Sequence, residues 1–179
     1  MLPRKYAGDY TLENVLDADG KVRTVGVYTG PWFRFRSDAE TVRRTKHMLC
    51  ASAALCAAAV LVPLLVLSPM LRLWYVMIPL ALAVIPAARL AYCSAVLARK
   101  ERFTRRERDT LVSALAPWSG AVLILALLSL LGQLVYALAG GAYALAEAGV
   151  TLAVLALGAA ALRILSLRTA LATEETSAE

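Results

Sequence analysis

The chain has 179 residues, 60% of them hydrophobic, and a formal net charge of +6. That is too apolar for an average soluble domain. The charge is also segregated, with nearly all of it in residues 1–47, in 99–109 and near the C-terminus, and apolar stretches between. A soluble helix would repeat its charges every few residues on the face opposite the core, so a soluble fold is excluded.

The basic residues cluster where apolar segments end, as helix anchors at an anionic leaflet do. The expected partner of this charge is therefore the lipid bilayer and not nucleic acid. The expected class is an all-α integral membrane protein. It is read as an antiparallel four-transmembrane-helix bundle with a small N-terminal cytoplasmic β-hairpin element.

Residues 1–47 read as a cytoplasmic N-terminal segment. Met1-Leu2-Pro3-Arg4-Lys5 leads into polar sequence with no apolar run before position 48, so no signal peptide is expected. Residues 10–28 read as a β-hairpin: Leu12, Val15 and Leu16 alternate with polar residues, Asp19-Gly20 supplies a tight turn, and Val22, Val25, Val27 and Tyr28 follow. Trp32-Phe33-Arg34-Phe35-Arg36 suits a third strand or a segment at headgroup level. Ser37 and Glu40 match a capping box that opens a lead-in helix over 38–47.

Four apolar spans follow, at about 48–67, 71–97, 111–139 and 142–165, within a transmembrane domain of 48–167. Each can cross ~30 Å of hydrocarbon, which takes about 20 residues. Pro79 and Pro86, seven apart, predict a bent second helix. Ala87, Ala91 and Ala95 on the second span, and Gly149 and Ala153 on the fourth, have the spacing of close helix seams. Residues 168–179 read as a disordered acidic cytoplasmic tail.

Lysine and arginine set orientation. Arg34, Arg36, Arg43, Arg44 and Lys46 precede the first span, six basic residues lie in 99–108, and Arg163 and Arg168 end the fourth span. The first outer connection has Arg72 alone, and the second has none. The expected location is the plasma membrane, multi-pass, with both termini cytoplasmic.

Glu147 is the most informative residue, since an ionisable group within a span defaults to a functional hypothesis. With Gln133, Tyr136, Tyr143, Thr151 and Arg72 it defines a candidate ligand or ion site in the outer half. The alternative is an Arg72–Glu147 pair fixing the two hairpins together. Trp32, Arg43, Arg44, Lys46, Arg99, Lys100, Arg105 and Arg106 are expected as lipid-headgroup anchors, with an anionic lipid at the inner leaflet as partner. Arg89 is expected to snorkel to the same leaflet.

Chemistry is not legible. Asp17-Ala18-Asp19-Gly20-Lys21 resembles the start of a calcium loop, but its twelfth position is Tyr28 where a glutamate is needed. His47 is the single histidine, and Cys50, Cys56 and Cys93 lie in apolar segments as small hydrophobes. No metal, no cofactor and no enzymatic activity are expected. The reading is a non-enzymatic assembly, scaffold or accessory module, forming a homo-oligomer or joining a larger membrane partner. A small oligomeric transporter or channel using Glu147 is the alternative. A lipid-headgroup enzyme would need a nucleophile or metal that the inner face does not offer.

Overall fold

A computed structural model describes residues 4–16, 22–66, 68–141 and 144–176. Strands β1 (Tyr10–Leu16) and β2 (Val22–Tyr28) pair antiparallel, from Tyr10 opposite Tyr28 to Leu16 opposite Val22. The Asp19-Gly20 turn lies outside the described residues. Opposed residues share a face of the ribbon. Leu12 and Val22 therefore lie on one face and Val15 and Val25 on the other, and all four are exposed.

Strand β3 (Trp32–Phe35) leads into α1 (Ala39–Leu65). The N-cap is Asp38, whose carboxylate accepts from the Thr41 N–H at 2.9 Å. The expected Ser37 cap is displaced by one residue, because the Ser37 hydroxyl donates to the Ala170 carbonyl at 3.2 Å. The polar lead-in and the first apolar span form this one continuous helix. Ser68 and a single turn, Pro69–Arg72, connect it to α2 (Trp74–Arg99), which carries Pro79 and Pro86 inside.

The basic connection is more structured than a loop. It contains β4 (Arg102–Thr104), α3 (Arg105–Glu107) and a π turn, Arg108–Val112, before α4 (Leu115–Leu138). Thr104 and Glu107 make a reciprocal capping box at 3.3 and 3.2 Å. Gly140, at φ +79°, then turns the chain towards α5 (Leu145–Ala170). A positive φ is where glycine costs least. Strand β5 (Thr173–Thr176) follows, in a tail that was expected to be disordered.

The molecule is mostly helical, and four of its helices are long and apolar enough to cross a membrane. Helix α1 packs on α2 and α5, and α4 packs on the same two, so each long helix has two long neighbours. The interior is rich in small residues: Ala53, Cys56, Ala83, Ala87, Ala126, Ala160 and Ala161 are buried. Large side chains such as Leu61, Ile85, Ile124, Leu131 and Leu152 face outward. Small interior residues let helix backbones approach, and an apolar exterior is what lipid solvates.

Helices α4 and α2 approach closely at Gly132, where an added Cβ would lie 2.8 Å from the Tyr75 carbonyl oxygen. The expected seam at Gly149 is not used in this way. That glycine is exposed, with nothing within 4 Å of an added Cβ.

A three-stranded antiparallel sheet, in the order β4-β3-β5, closes the end of the molecule that carries both terminal segments. Its central strand comes from before α1, and its edges come from the α2–α4 connection and from the tail. Phe33, Phe35, Phe103 and Leu171 are buried beneath it, with Phe35 and Phe103 edge to face at 5.0 Å. The Arg108 guanidinium covers Phe33 at 4.3 Å, and such cation–π contacts contribute about 0.5–1 kcal/mol at exposed sites.

Candidate functional site

Two polar regions lie at opposite ends of the helices. The first surrounds Glu147. Helix α5 starts at Leu145, so Glu147 sits in its first turn and not five residues deep. One carboxylate oxygen accepts from the Ala144 N–H at 3.1 Å, which caps the helix. The other accepts from the Ser68 hydroxyl at 2.9 Å, and both side chains are buried. The positive end of the helix dipole supports the charge there. The contact ties the α1–α2 turn to the start of α5.

The expected Arg72 partnership is not formed. Arg72 is exposed and makes no ion pair with Glu147, and Ser68 has taken that place. One turn deeper, Thr151 donates to Gln133 Oε1 at 2.7 Å with the Glu147 carbonyl 3.0 Å away, and Gln133 Nε2 donates to Ser129 at 3.5 Å. Tyr136 packs its ring over Gly141, where a Cβ would fall 2.4 Å from it. Tyr143 lies outside the described residues. Glu147, Gln133 and Thr151 are thus brought together, and Arg72 is left apart. Their hydrogen-bonding capacity is largely spent on one another and on the backbone, as buried polar groups require.

The second region gathers basic residues that lie far apart in sequence. A cavity of about 680 Å³ opens between the β3–α1 junction, the first three turns of α1, the end of α2 and β5. Arg34, Arg36, Arg43, Lys46, His47 and Arg99 line it, with Asp38, Glu101 and Glu174 as the carboxylates. Arg34 pairs with Glu174 at 2.9 Å. Lys46 donates to the Lys100 carbonyl at 2.6 Å, and its ammonium lies 5.2 Å from the centre of the Phe35 ring. Arg36, Arg43 and Arg99 form no ion pair among the described residues.

The backbone and side-chain hydrogen bonds from Thr41 hold the Asp38 carboxyl below its ordinary range, so it stays ionised at the cavity rim. Val42, Cys50 and Ala98 form the apolar part of the wall.

The other expected headgroup anchors surround this region. Trp32 is 37% exposed and edge-on to Tyr28 at 5.2 Å, and Arg44 and Arg106 are exposed. Lys100 is paired with Glu107. The Arg105 N–H donates to the Tyr28 hydroxyl at 3.0 Å, and its guanidinium lies 3.9 Å from Asp9. Lys5 reaches Asp109 at 2.8 Å, and that hydrogen bond raises the lysine above its ordinary range. Arg89 stacks on Tyr92 at 5.2 Å, one turn closer to the same end.

Sequence reasoning missed Ser68 as the partner of Glu147 and missed the meeting of Arg34 with Glu174. The first had a usable signal, a serine before a proline in a turn facing a buried carboxylate. The second had none, because the strand pairing that creates it joins residues 140 positions apart. No group of three or more His, Cys, Asp or Glu side chains suited to a metal occurs among the described residues. Comparison with known protein families, curated proteins and solved structures finds no match for this chain.

Proposed function

We propose that the chain is a non-enzymatic membrane module that acts in assembly, docking a partner protein through the β1–β2 hairpin. The four long helices form an antiparallel transmembrane bundle in this reading. The end that carries both terminal segments and the basic connection faces the cytoplasm, in keeping with the lysine and arginine bias.

The observation that carries the proposal is the exposed hairpin. Its two seven-residue strands pair only with each other among the described residues, and they carry Leu12 at 77% and Val22 at 68% exposure. An isolated two-stranded ribbon is marginal in water. Open strand edges next to exposed apolar side chains are a template for pairing with another chain. The polar residues around Glu147 support the same reading, because they bond to each other and to helix ends.

The test is photo-crosslinking in native membranes from position 12 or 25 of the full chain. The expected result is a discrete protein adduct of constant mass, lost when Val15→Asp is combined with the probe at 25 or Val22→Asp with the probe at 12. Lipid adducts alone from both positions would contradict the docking role.

A further inference from the structure

The basic cavity at the β3–α1 junction has a shape and charge pattern that a topology anchor does not need. Residues that serve merely to anchor helices spread around the rim and reach out separately to headgroups. Here side chains from four elements line one open cavity of about 680 Å³, within the ~300–1,000 Å³ range of small-ligand sites. The cations outnumber the carboxylates around it. Three of them, Arg36, Arg43 and Arg99, have no carboxylate partner among the described residues.

Along α1 the lining residues run from Ala39 to Cys50 at helical spacing, so one face of the helix forms the wall. The apolar part of the sequence begins at Met48. The distance from Arg43 to Cys50 is about 10 Å by helix rise. The cavity is therefore polar along Arg43, Lys46 and His47 and ends at Cys50, past the level at which α1 becomes apolar. This ordering matches a molecule with an anionic head and an apolar tail.

We propose that this cavity binds an anionic membrane lipid through a phosphate-ester headgroup. Arg36, Arg43 and Arg99 contact the phosphate oxygens, and the acyl chains leave past Cys50 into the bilayer. Guanidinium groups suit this ligand because their planar forks match phosphate geometry. The excess of positive charge in the cavity favours a phosphomonoester, with its greater negative charge, over a phosphodiester.

Glu174 on β5 has a defined part in this. Its ion pair with Arg34 at 2.9 Å places a carboxylate in the cavity wall, where it competes with the phosphate. Binding thus loosens the pairing of the tail with β3. The inference rests on the membrane embedding proposed above and is independent of the docking role of the hairpin.

The full chain is reconstituted in phosphatidylcholine nanodiscs containing a minor fraction of phosphatidic acid or of phosphatidylglycerol, and bound lipid is read by native mass spectrometry. The expected result is one phosphatidic acid retained per chain in preference to phosphatidylglycerol. Retention falls about tenfold in Arg36→Ala/Arg43→Ala and rises several-fold in Glu174→Gln, a gain that misfolding cannot produce. Arg102→Ala/Arg168→Ala removes the same charge at exposed positions outside the cavity and leaves retention unchanged. Glycerol 3-phosphate at millimolar concentration fails to displace the lipid. Displacement by glycerol 3-phosphate would overturn the lipid assignment in favour of a soluble phosphate ester. Equal losses in the two double variants, or no gain in Glu174→Gln, would overturn the site.

Discussion

Glu147 shows how one residue type at one position can mean two different things. An ionisable group inside a long apolar run reads as a site, since its desolvation must be compensated. A three-residue shift in where α5 starts moves the same carboxylate to a helix N-terminus, where the Ala144 N–H and the Ser68 hydroxyl satisfy it. The expected consequence is that Glu147→Ala lowers the thermal midpoint in detergent by roughly 2–6 °C, and Ser68→Ala does so by less. Combining the two gives less than the sum of the single effects, because the residues share one contact. Full additivity would show that the contact contributes nothing.

The glycines give a paired prediction at the same scale. Gly132→Ala drives a Cβ into the Tyr75 carbonyl of α2 and costs about 1–3 kcal/mol, as overpacking does. Gly149→Ala enters open space on an exposed helix face and gains up to about 1 kcal/mol from helix propensity. Chemical or thermal unfolding of the two variants side by side checks the signs. The sequence pattern suggested Gly149 for the seam, because spacing alone does not say which face of a helix turns inward.

At the scale of elements, the four long helices were legible because each needs only its own apolar run. The hairpin was legible for the same local reason. Of the β4-β3-β5 sheet only β3 was, as one of two readings of residues 32–36. Its strands are three or four residues long, and its pairings join Phe33 to Phe103 and to Glu175. The tail reads as polar and acidic in isolation, yet Arg34 gives Glu174 a partner and Arg36 donates its N–H to the Ala172 carbonyl at 2.9 Å. Similarly, the Ser37-to-Glu40 pattern looked like a cap until α5 supplied a carbonyl for Ser37.

The cap that does form has a pH signature. Asp38 is depressed by hydrogen bonds from Thr41. Its contribution is therefore fully present above the unfolded-state value, at about pH 4, and is lost as pH falls through the lower folded-state value. Amides of the first turn of α1 are expected to exchange faster below about pH 4, and Asp38→Asn should flatten that dependence. An unchanged pH profile in Asp38→Asn would contradict the assignment of the cap.

At the scale of the whole molecule, the outward Leu and Ile side chains and the small interior residues support one arrangement, in which lipid solvates the girth. The sheet binds the strands next to α1, α2 and α5 at a single end, so the ends of the two helix hairpins are held together where the basic residues lie. The opposite end is closed by the Ser68–Glu147 contact. Both closures involve residues far apart in sequence.

The central claim is that this body crosses the membrane four times with both termini in the cytoplasm. Cysteine labelling tests it most directly. With Cys50, Cys56 and Cys93 replaced, single cysteines are placed in the full chain at Glu13, Arg72, Glu101, Ala139 and Glu175, all of them exposed. The account predicts that a membrane-impermeant maleimide labels positions 72 and 139 in intact cells. Positions 13, 101 and 175 should label only after permeabilisation. Labelling of 13 or 101 in intact cells, or protection of 72 and 139, would contradict it.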